Sequence, residues 1–475
     1  MDCFPTISSL FHKNFKTSPN FSPQIQIKKM NIDEIYKIFK AHPIVTTDSR
    51  NITEGCVFFA LKGETFDGNA FAQKALDAGA AYAIIDNPDF KQNERLILVN
   101  NVLTTLQNLS TFHRRQFDIP FIAIAGSNGK TTTKELVAAV MNSQYNTHFT
   151  KGNFNNHIGV PLTLLKLNKD HEAAIVEIGA NHQGETHDLC VILEPTHGVV
   201  TNMGKDHLEG FGGIEGVKIG NSEIYRWLAQ NRGTVFVNED EPFLQDWLPK
   251  EGLHKIFYHR TADLSMETPQ YQAHLDRAAP LLKVSFLDHN GSILAVDTQI
   301  VGDYNFANVM TAIAIGKYFK VPGRKICIAL NEYVPSMNRS QLIKHGEATV
   351  ILDAYNANPS SLSLALKSLA QMPQNKKIAI IGDMFELGEE SDVEHKAIYD
   401  LAKSLNFNTL ITVGHHFAKI ANPTVTPERD EAIGIKGGVF ETNKEAKEWF
   451  DKQEFDADTC ILIKGSRGMK LEVLL

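Results

Sequence analysis

The feature that most constrains this chain is one continuous strand–loop–helix passage. Pro120 is followed by the apolar run Phe121 to Ala125, then Gly126-Ser127-Asn128-Gly129-Lys130-Thr131, then a helical pattern with Leu136, Val137, Val140 and Met141 on one face. A short apolar run closed by glycines and followed by helical periodicity predicts a parallel α/β unit, with the loop at the carboxyl end of a buried strand. Glycines let backbone N–H groups approach an anion, and the N-terminal end of the following helix attracts the same charge. In such a loop Lys130 reaches the β- and γ-phosphates of a nucleotide, and the Thr131 hydroxyl is placed to meet Mg²⁺. The spacing is G-x-x-G-K-T; the longer G-x-x-x-x-G-K-T is absent because Ile124 occupies its first position.

Two carboxylate or imidazole candidates lie near neighbouring strand ends. Glu177 falls within the apolar stretch Ala173 to Gly179, where a carboxylate is costly unless paired or bound to a cation. His207 follows the next short apolar run, Gly198 to Thr201, by a few residues. Taken singly, Glu177 reads equally as an ion-paired structural residue and His207 as a satisfied loop histidine.

With 475 residues, the chain exceeds one comfortable core, so several domains are expected. Residues 30–118 carry short strands at Cys56 to Leu61, Tyr82 to Asp86 and Leu96 to Asn100. Residues 119–334 hold the phosphate loop, strands at Ala174 to Ile178 and Gly198 to Thr201, and a closing helix from Phe306 to Phe319. A stretch near 255–300 has antiparallel texture. Residues 335–475 repeat the α/β pattern at Val350 to Leu352, Lys377 to Ile381, Leu410 to Val413 and Cys460 to Ile463. Residues 1–29 lack a continuous apolar segment and read as a weakly ordered extension.

The 47 Lys and Arg against 55 Asp and Glu give a net charge of −8, which argues against nucleic-acid binding. No apolar run reaches the roughly 18–20 residues of a membrane span. Five scattered cysteines without a C-x-x-C pair predict neither a disulfide framework nor a zinc site, and a cytoplasmic location fits them.

Several motifs together resemble the Mur ligases, the ATP-dependent amide-forming enzymes of peptidoglycan assembly. These are G-S-N-G-K-T-T at Gly126 to Thr132, T-K-G-N-F-N-N-H-I-G-V-P at Thr150 to Pro161, E-I-G-A-N-H-Q-G-E at Glu177 to Glu185, H-L-E-G-F-G at His207 to Gly212 and G-D-Y-N-F-A-N at Gly302 to Asn308. The resemblance implies an α/β, three-domain architecture: a UDP-sugar-binding N-terminal domain, a central P-loop ATPase domain built on a parallel sheet, and a C-terminal Rossmann-like domain. D-A-Y-N-A-N-P at Asp353 to Pro359 and G-D-M-F-E-L-G-E at Gly382 to Glu389 favour the family branch that adds D-alanyl-D-alanine (D-Ala-D-Ala) to UDP-MurNAc-tripeptide. A monomer is expected, with ATP and Mg²⁺ as its nucleotide and metal.

By motif position the resemblance implies roles for named residues. Lys130, Glu177 and His207 are the catalytic set. Thr131 and Glu177 would ligate Mg²⁺, with His207 at a second cation. The nucleotide would meet Gly126, Ser127, Asn128, Gly129, Lys130, Thr131, Thr132, Asn305, Asn308, Arg339 and Asp353. Ser49 and Arg50, in D-S-R, with Asn155, Asn156, Tyr355, Asn356 and Asn358 would hold the UDP-substrate and the dipeptide. Two departures stand out. Asn69 replaces the family's histidine after D-G. Asn221 stands fourteen residues after His207, where Mur ligases place a lysine that CO₂ converts to a carbamate; Lys218 lies one helical turn away. Two other readings share these features: a relative using another amine acceptor, and a nucleotide-binding scaffold without catalysis.

Overall fold

The structure is a computed structural model that describes residues 30–264, 271–420 and 436–475. The expected N-terminal extension lies outside the described residues.

The first sheet has four parallel strands in chain order: Val45–Thr46, Val57–Phe59, Tyr82–Ile85 and Leu96–Leu98. Both faces are covered, which is why these strands read as unbroken apolar runs and not as alternating ones. Val57, Phe59 and Ile84 pack under the helices Ile32–Ala41 and Val102–Arg114, while Phe58, Ala83 and Ile85 pack under the helix Ala72–Asp77. Asn69 is fully buried. Its amide donates to Asp67 (2.7 Å) and Asp86 (2.9 Å), and its oxygen accepts from the Asp86 N–H (3.0 Å). The departure from the family's histidine is thus a knot joining two strand-end loops.

The central sheet has nine strands. From one edge they run Ile293–Asp297, Lys283–Leu287, Gln272–Arg277, His254–Arg260, Thr234–Asn238, His197–Val200, Phe121–Ala125, Ala173–Glu177 and Thr147–Phe149. The antiparallel texture expected from residue 255 begins later. His254–Arg260 runs parallel to both neighbours, and only the last three strands alternate in direction. The physical reason is that Thr234–Asn238 and His254–Arg260 are joined by residues 239–253, long enough to return the chain to a parallel start, whereas the last three strands are joined by the short segments 278–282 and 288–292. The helix Phe306–Tyr318 is apolar nearly all round because it lies between this sheet and the phosphate-loop helix Lys130–Asn142.

The third sheet has six strands in the order Gln341–His345, Ala348–Leu352, Thr459–Lys464, Lys376–Gly382, Thr409–Val413 and Lys436–Phe440. All neighbours are parallel except the first pair. The loop after Ala348–Leu352 reaches the phosphate loop through Asn358, and the loop after Lys376–Gly382 reaches His207 through Glu386.

Candidate active site

Strand order places the site. Phe121–Ala125 lies between Ala173–Glu177 and His197–Val200, with Ile124 opposite Glu177 and Ala125 opposite Val200. The chain leaves Phe121–Ala125 toward one side of the sheet and later crosses to the other, so a crevice opens above these carboxyl ends. Gly126 (φ +119°) and Gly129 (φ +79°) adopt left-handed conformations there. A Cβ on Gly126 would come within 2.3 Å of Thr201 Oγ1, and one on Gly129 within 2.6 Å of Asn308 Oδ1. Glycine is therefore needed for both curvature and clearance.

The Lys130 ammonium folds over its own loop, donating to the carbonyls of Gly126 (2.6 Å) and Ser127 (2.9 Å), with Asp206 Oδ2 at 3.8 Å. Thr131 Oγ1 donates to Glu177 Oε1 (3.1 Å), and the Asn155 amide donates to the same oxygen (2.8 Å). Glu177 is buried, and its Oε2 has no hydrogen-bond partner among the described residues. An orphaned, ionisable oxygen beside a threonine hydroxyl at the foot of a glycine loop suits a hard divalent cation. Among the described residues no three His, Cys, Asp or Glu side chains gather in a metal-binding cluster, at this site or away from it.

On the other wall, Thr133 Oγ1 donates to Asn308 Oδ1 (2.9 Å), and the Asn308 amide donates to Asn305 Oδ1 (2.8 Å). Asn305 in turn donates to the Val301 carbonyl (2.8 Å). These asparagines brace the phosphate-loop helix against the closing helix. Asn156 caps the helix Gly159–Leu164, accepting from the N–H groups of Ile158 (3.1 Å) and Gly159 (2.9 Å). Ser49 and Arg50 lie in the turn after Val45–Thr46, where exposed Arg50 forms a fork with Asp48 (2.9 and 3.0 Å).

The C-terminal sheet supplies the roof. The Asn358 amide donates to Asn128 Oδ1 (2.8 Å) and Asp206 Oδ1 (3.1 Å). Lys205 pairs with Glu394, and His207 Nδ1 lies 2.5 Å from Glu386 Oε2. Burial disfavours a charged His207, but the Glu386 hydrogen bond and the charges of Asp206 and Glu386 prevail and raise its pKa. The same bond holds the Glu386 carboxyl below its usual range. His207 is thereby placed in a domain-bridging pair, with Asp206 and Glu386 as its ionic neighbours. Tyr355 lies under the Arg339 guanidinium, 3.6 Å from the ring centre, and Arg339 Nε is buried with no hydrogen-bond partner among the described residues. Asp353 accepts from the Ser340 N–H (3.1 Å) and from Lys464 Nζ (2.7 Å), which also holds the Asn356 carbonyl (3.0 Å).

Lys464 was not among the residues expected from sequence. Its signal was there to read: a lysine ending an otherwise apolar strand poses the same burial problem as Glu177. The lysine near Asn221 is committed elsewhere. Lys218 pairs with Glu215 (2.7 Å) and lies over the Phe243 ring (4.1 Å), while the buried Asn221 amide donates to the Val217 carbonyl (3.1 Å).

A second opening, about 890 Å³, lies between the N-terminal and central sheets and reaches Asn155 and Asn156. Gln107, Thr111 and Arg115 of Val102–Arg114 and its end line one side; Asn181, Glu185 and Asp188 line the other. Arg114 fastens this junction by donating to the carbonyls of Leu193 (2.9 Å) and Glu194 (2.6 Å) at the end of the helix Glu185–Leu193.

Fold and site together define a multidomain α/β protein with a phosphate-binding loop roofed by a second parallel sheet. Three family models cover most of the chain: the Mur ligase family catalytic domain at 43–120, the Mur ligase middle domain at 124–316, and the Mur ligase glutamate ligase domain at 338–467. The chain belongs to the Mur ligase family. It is 32% identical to the UDP-N-acetylmuramoyl-tripeptide–D-alanyl-D-alanine ligase of Bacillus subtilis (strain 168), covering 91% of this chain and 92% of the relative. The enzyme of the same name from Escherichia coli (strain K12) is 31% identical, with 90% and 92% covered. Among solved structures, MurF from Acinetobacter baumannii superposes with a TM-score of 0.78 at 29% identity, covering 90% of this chain and 92% of that one.

Proposed function

We propose that this chain is an ATP-dependent ligase that adds D-alanyl-D-alanine to UDP-N-acetylmuramoyl-tripeptide. The observation that carries the reading is the meeting of two openings at one carboxylate: Glu177 faces the phosphate loop, and Asn155, which holds it, lines the cleft toward the N-terminal sheet. A donor lying in that cleft would bring its terminal carboxylate to the end of the nucleotide. The likeness of the whole chain to enzymes of this name supports the choice of substrates.

A free carboxylate is a poor electrophile, so the reaction has two stages. A carboxylate oxygen attacks the γ-phosphorus of ATP, ADP leaves, and an acyl phosphate forms. The D-Ala-D-Ala amine then attacks the acyl carbon, loses a proton, and expels phosphate to give UDP-MurNAc-pentapeptide. Lys130, on leaving the Gly126 and Ser127 carbonyls, would neutralise charge on the moving phosphoryl group. Thr131 and Glu177 would hold Mg²⁺, which when bound supplies further neutralisation at the phosphates. His207 would present Nε2 to a second cation while Nδ1 keeps its bond to Glu386, the carboxylate–imidazole arrangement that orients a metal-ligating ring. Arg339 and Asp353 would meet the nucleotide from above, and the Tyr355 to Asn358 loop would receive the dipeptide. ATP and UDP-linked substrates imply a cytoplasmic enzyme; a monomer suffices, since the site is built within one chain.

The test is an acceptor assay. Purified protein, ATP, Mg²⁺ and UDP-MurNAc-tripeptide are given D-Ala-D-Ala or single amino acids, with phosphate release and product mass measured. Dipeptide-dependent phosphate release and a pentapeptide product are expected. Turnover with single amino acids but none with the dipeptide would reject the assignment.

A further inference from the structure

Lys134 lies one turn beyond Lys130 on the phosphate-loop helix and is fully buried. Its ammonium is 3.2 Å from Glu135 Oε1, 3.5 Å from the Gly152 carbonyl and 5.9 Å from the centre of the Phe149 ring. Lys151 shares the neighbourhood, its own ammonium 3.5 Å from the same ring centre. Burial and the Lys134 charge both push the Lys151 ammonium below the usual lysine range. Two cations thus share one nearby carboxylate, and charge balance alone does not account for burying Lys134. A methionine would fill the volume. What a methionine could not do is hold the Gly152 carbonyl.

That carbonyl belongs to the bend of the loop that serves Glu177. Gly152 has φ +58° and follows Thr150, whose Oγ1 accepts the Glu177 N–H (3.0 Å). Further along, the Asn155 amide holds Glu177 Oε1, and the Asn155 carbonyl accepts the Gly179 N–H (2.8 Å). The loop therefore grips the segment Glu177 to Gly179 at three points. Glu135, the partner of Lys134, accepts from the Tyr333 hydroxyl (3.3 Å). Tyr333 ends the helix Gly323–Glu332 and begins the linker into the C-terminal sheet.

We infer that Lys134 is a positioning residue, holding the 150–156 loop at its bend so that Asn155 orients Glu177. Through Glu135 and Tyr333 the same anchor is tied to the interdomain linker. Lys134 acts on the reaction only through Glu177, so the inference rests on the reading of Glu177 as the metal-facing carboxylate.

The full chain carrying Lys134→Met is compared with wild type and Lys134→Arg. Hydrogen exchange at the Glu177 and Gly179 amides needs neither ligand nor turnover. It should quicken about tenfold or more in the methionine variant if the loop loses its anchor. In the ligase assay the Mg²⁺ concentration for half-maximal rate should rise about tenfold, with kcat reduced and the KM for D-Ala-D-Ala changed by less than about twofold. Arginine should restore much of both. Unchanged exchange at the two amides, or an unchanged Mg²⁺ requirement in an active methionine variant, would overturn the inference. If wild type shows no dipeptide-dependent turnover, the proposed function fails and exchange alone decides the role of Lys134. Should the methionine variant not fold, Lys134→Gln, polar but too short to reach Gly152, is read by the same two measurements.

Discussion

The side-chain amide of Asn358 lies 2.8 Å from Asn128 Oδ1, joining the C-terminal sheet to the phosphate loop across 230 residues of sequence. The same amide reaches Asp206, and the Asn358 oxygen caps the helix Pro359–Gln371 by accepting the Ser361 N–H at 2.9 Å. One residue therefore starts a helix and touches the phosphate loop.

Its two roles separate by mutation. In Asn358→Asp the carboxylate still caps the helix, since aspartate and asparagine are about equal at that position. It cannot donate to Asn128, and it repels Asp206. The expected outcome is a Tm within a few degrees of wild type with kcat/KM reduced by about tenfold to a hundredfold, the scale of a lost positioning contact. Thermal unfolding and steady-state kinetics on one preparation check it.

Glu177→Gln removes a buried negative charge with an unpartnered oxygen while keeping an acceptor for Thr131 and Asn155. The fold should be as stable as wild type or slightly more so, because a charge without full compensation is costly to bury. Phosphate release should fall by about a hundredfold or more, in line with loss of a group that manages transition-state charge. Denaturant unfolding paired with the acceptor assay tests both halves.

The His207–Glu386 pair predicts a pH-dependent roof. His207 binds its proton more tightly in the folded protein, so its contribution is complete below the ordinary histidine value of about 6.5 and fades as pH rises through the folded value. Glu386 behaves oppositely: its contribution is present above the ordinary glutamate value and is lost as pH falls through its depressed folded value. The pair is whole between these limits and opens on the alkaline side first. Small-angle scattering should show wild type expanding as pH rises through the raised His207 value, whereas Glu386→Gln should lose most of that dependence.

What could be read in the sequence follows from how each element is stabilised. Phe121–Ala125 and Cys460 to Ile463 are buried on both faces, so their apolar runs are continuous and visible. Three edge strands were missed. Gln341–His345 is only partly buried and mixes charge with apolar residues, Thr147–Phe149 is three residues long, and Lys436–Phe440 contains two glycines. For these, pairing with a neighbour decides the conformation and local pattern does not. In the site, Thr131 and Glu177 could be placed together because both follow adjacent parallel strands. The Asn128–Asn358 and His207–Glu386 contacts could not, since each depends on how two sheets face one another. Asn305 and Asn308 also brace two helices, and composition does not distinguish that role from ligand contact.

Asn221 yields the last prediction. Its amide is turned back to the Val217 carbonyl, and the neighbouring Lys218 is held by Glu215 and the Phe243 ring. A lysine held in an ion pair is a poor nucleophile toward CO₂, because carbamate formation needs a free neutral amine. Wild-type turnover should therefore change by less than about twofold when bicarbonate is removed or supplied, a difference too small to reflect a transition-state interaction. Lys218→Ala should be equally indifferent, its effect confined to the packing of Phe243. Asn221→Lys tests the converse. That side chain starts from a buried face of the helix Ile214–Gln230, where desolvation favours the neutral amine and hence carbamate formation. The variant should acquire a bicarbonate dependence that wild type lacks. A wild-type rate that collapses in bicarbonate-free buffer, and recovers on its addition, would overturn the prediction, with loss of that rate in Lys218→Ala assigning the carbamate to Lys218.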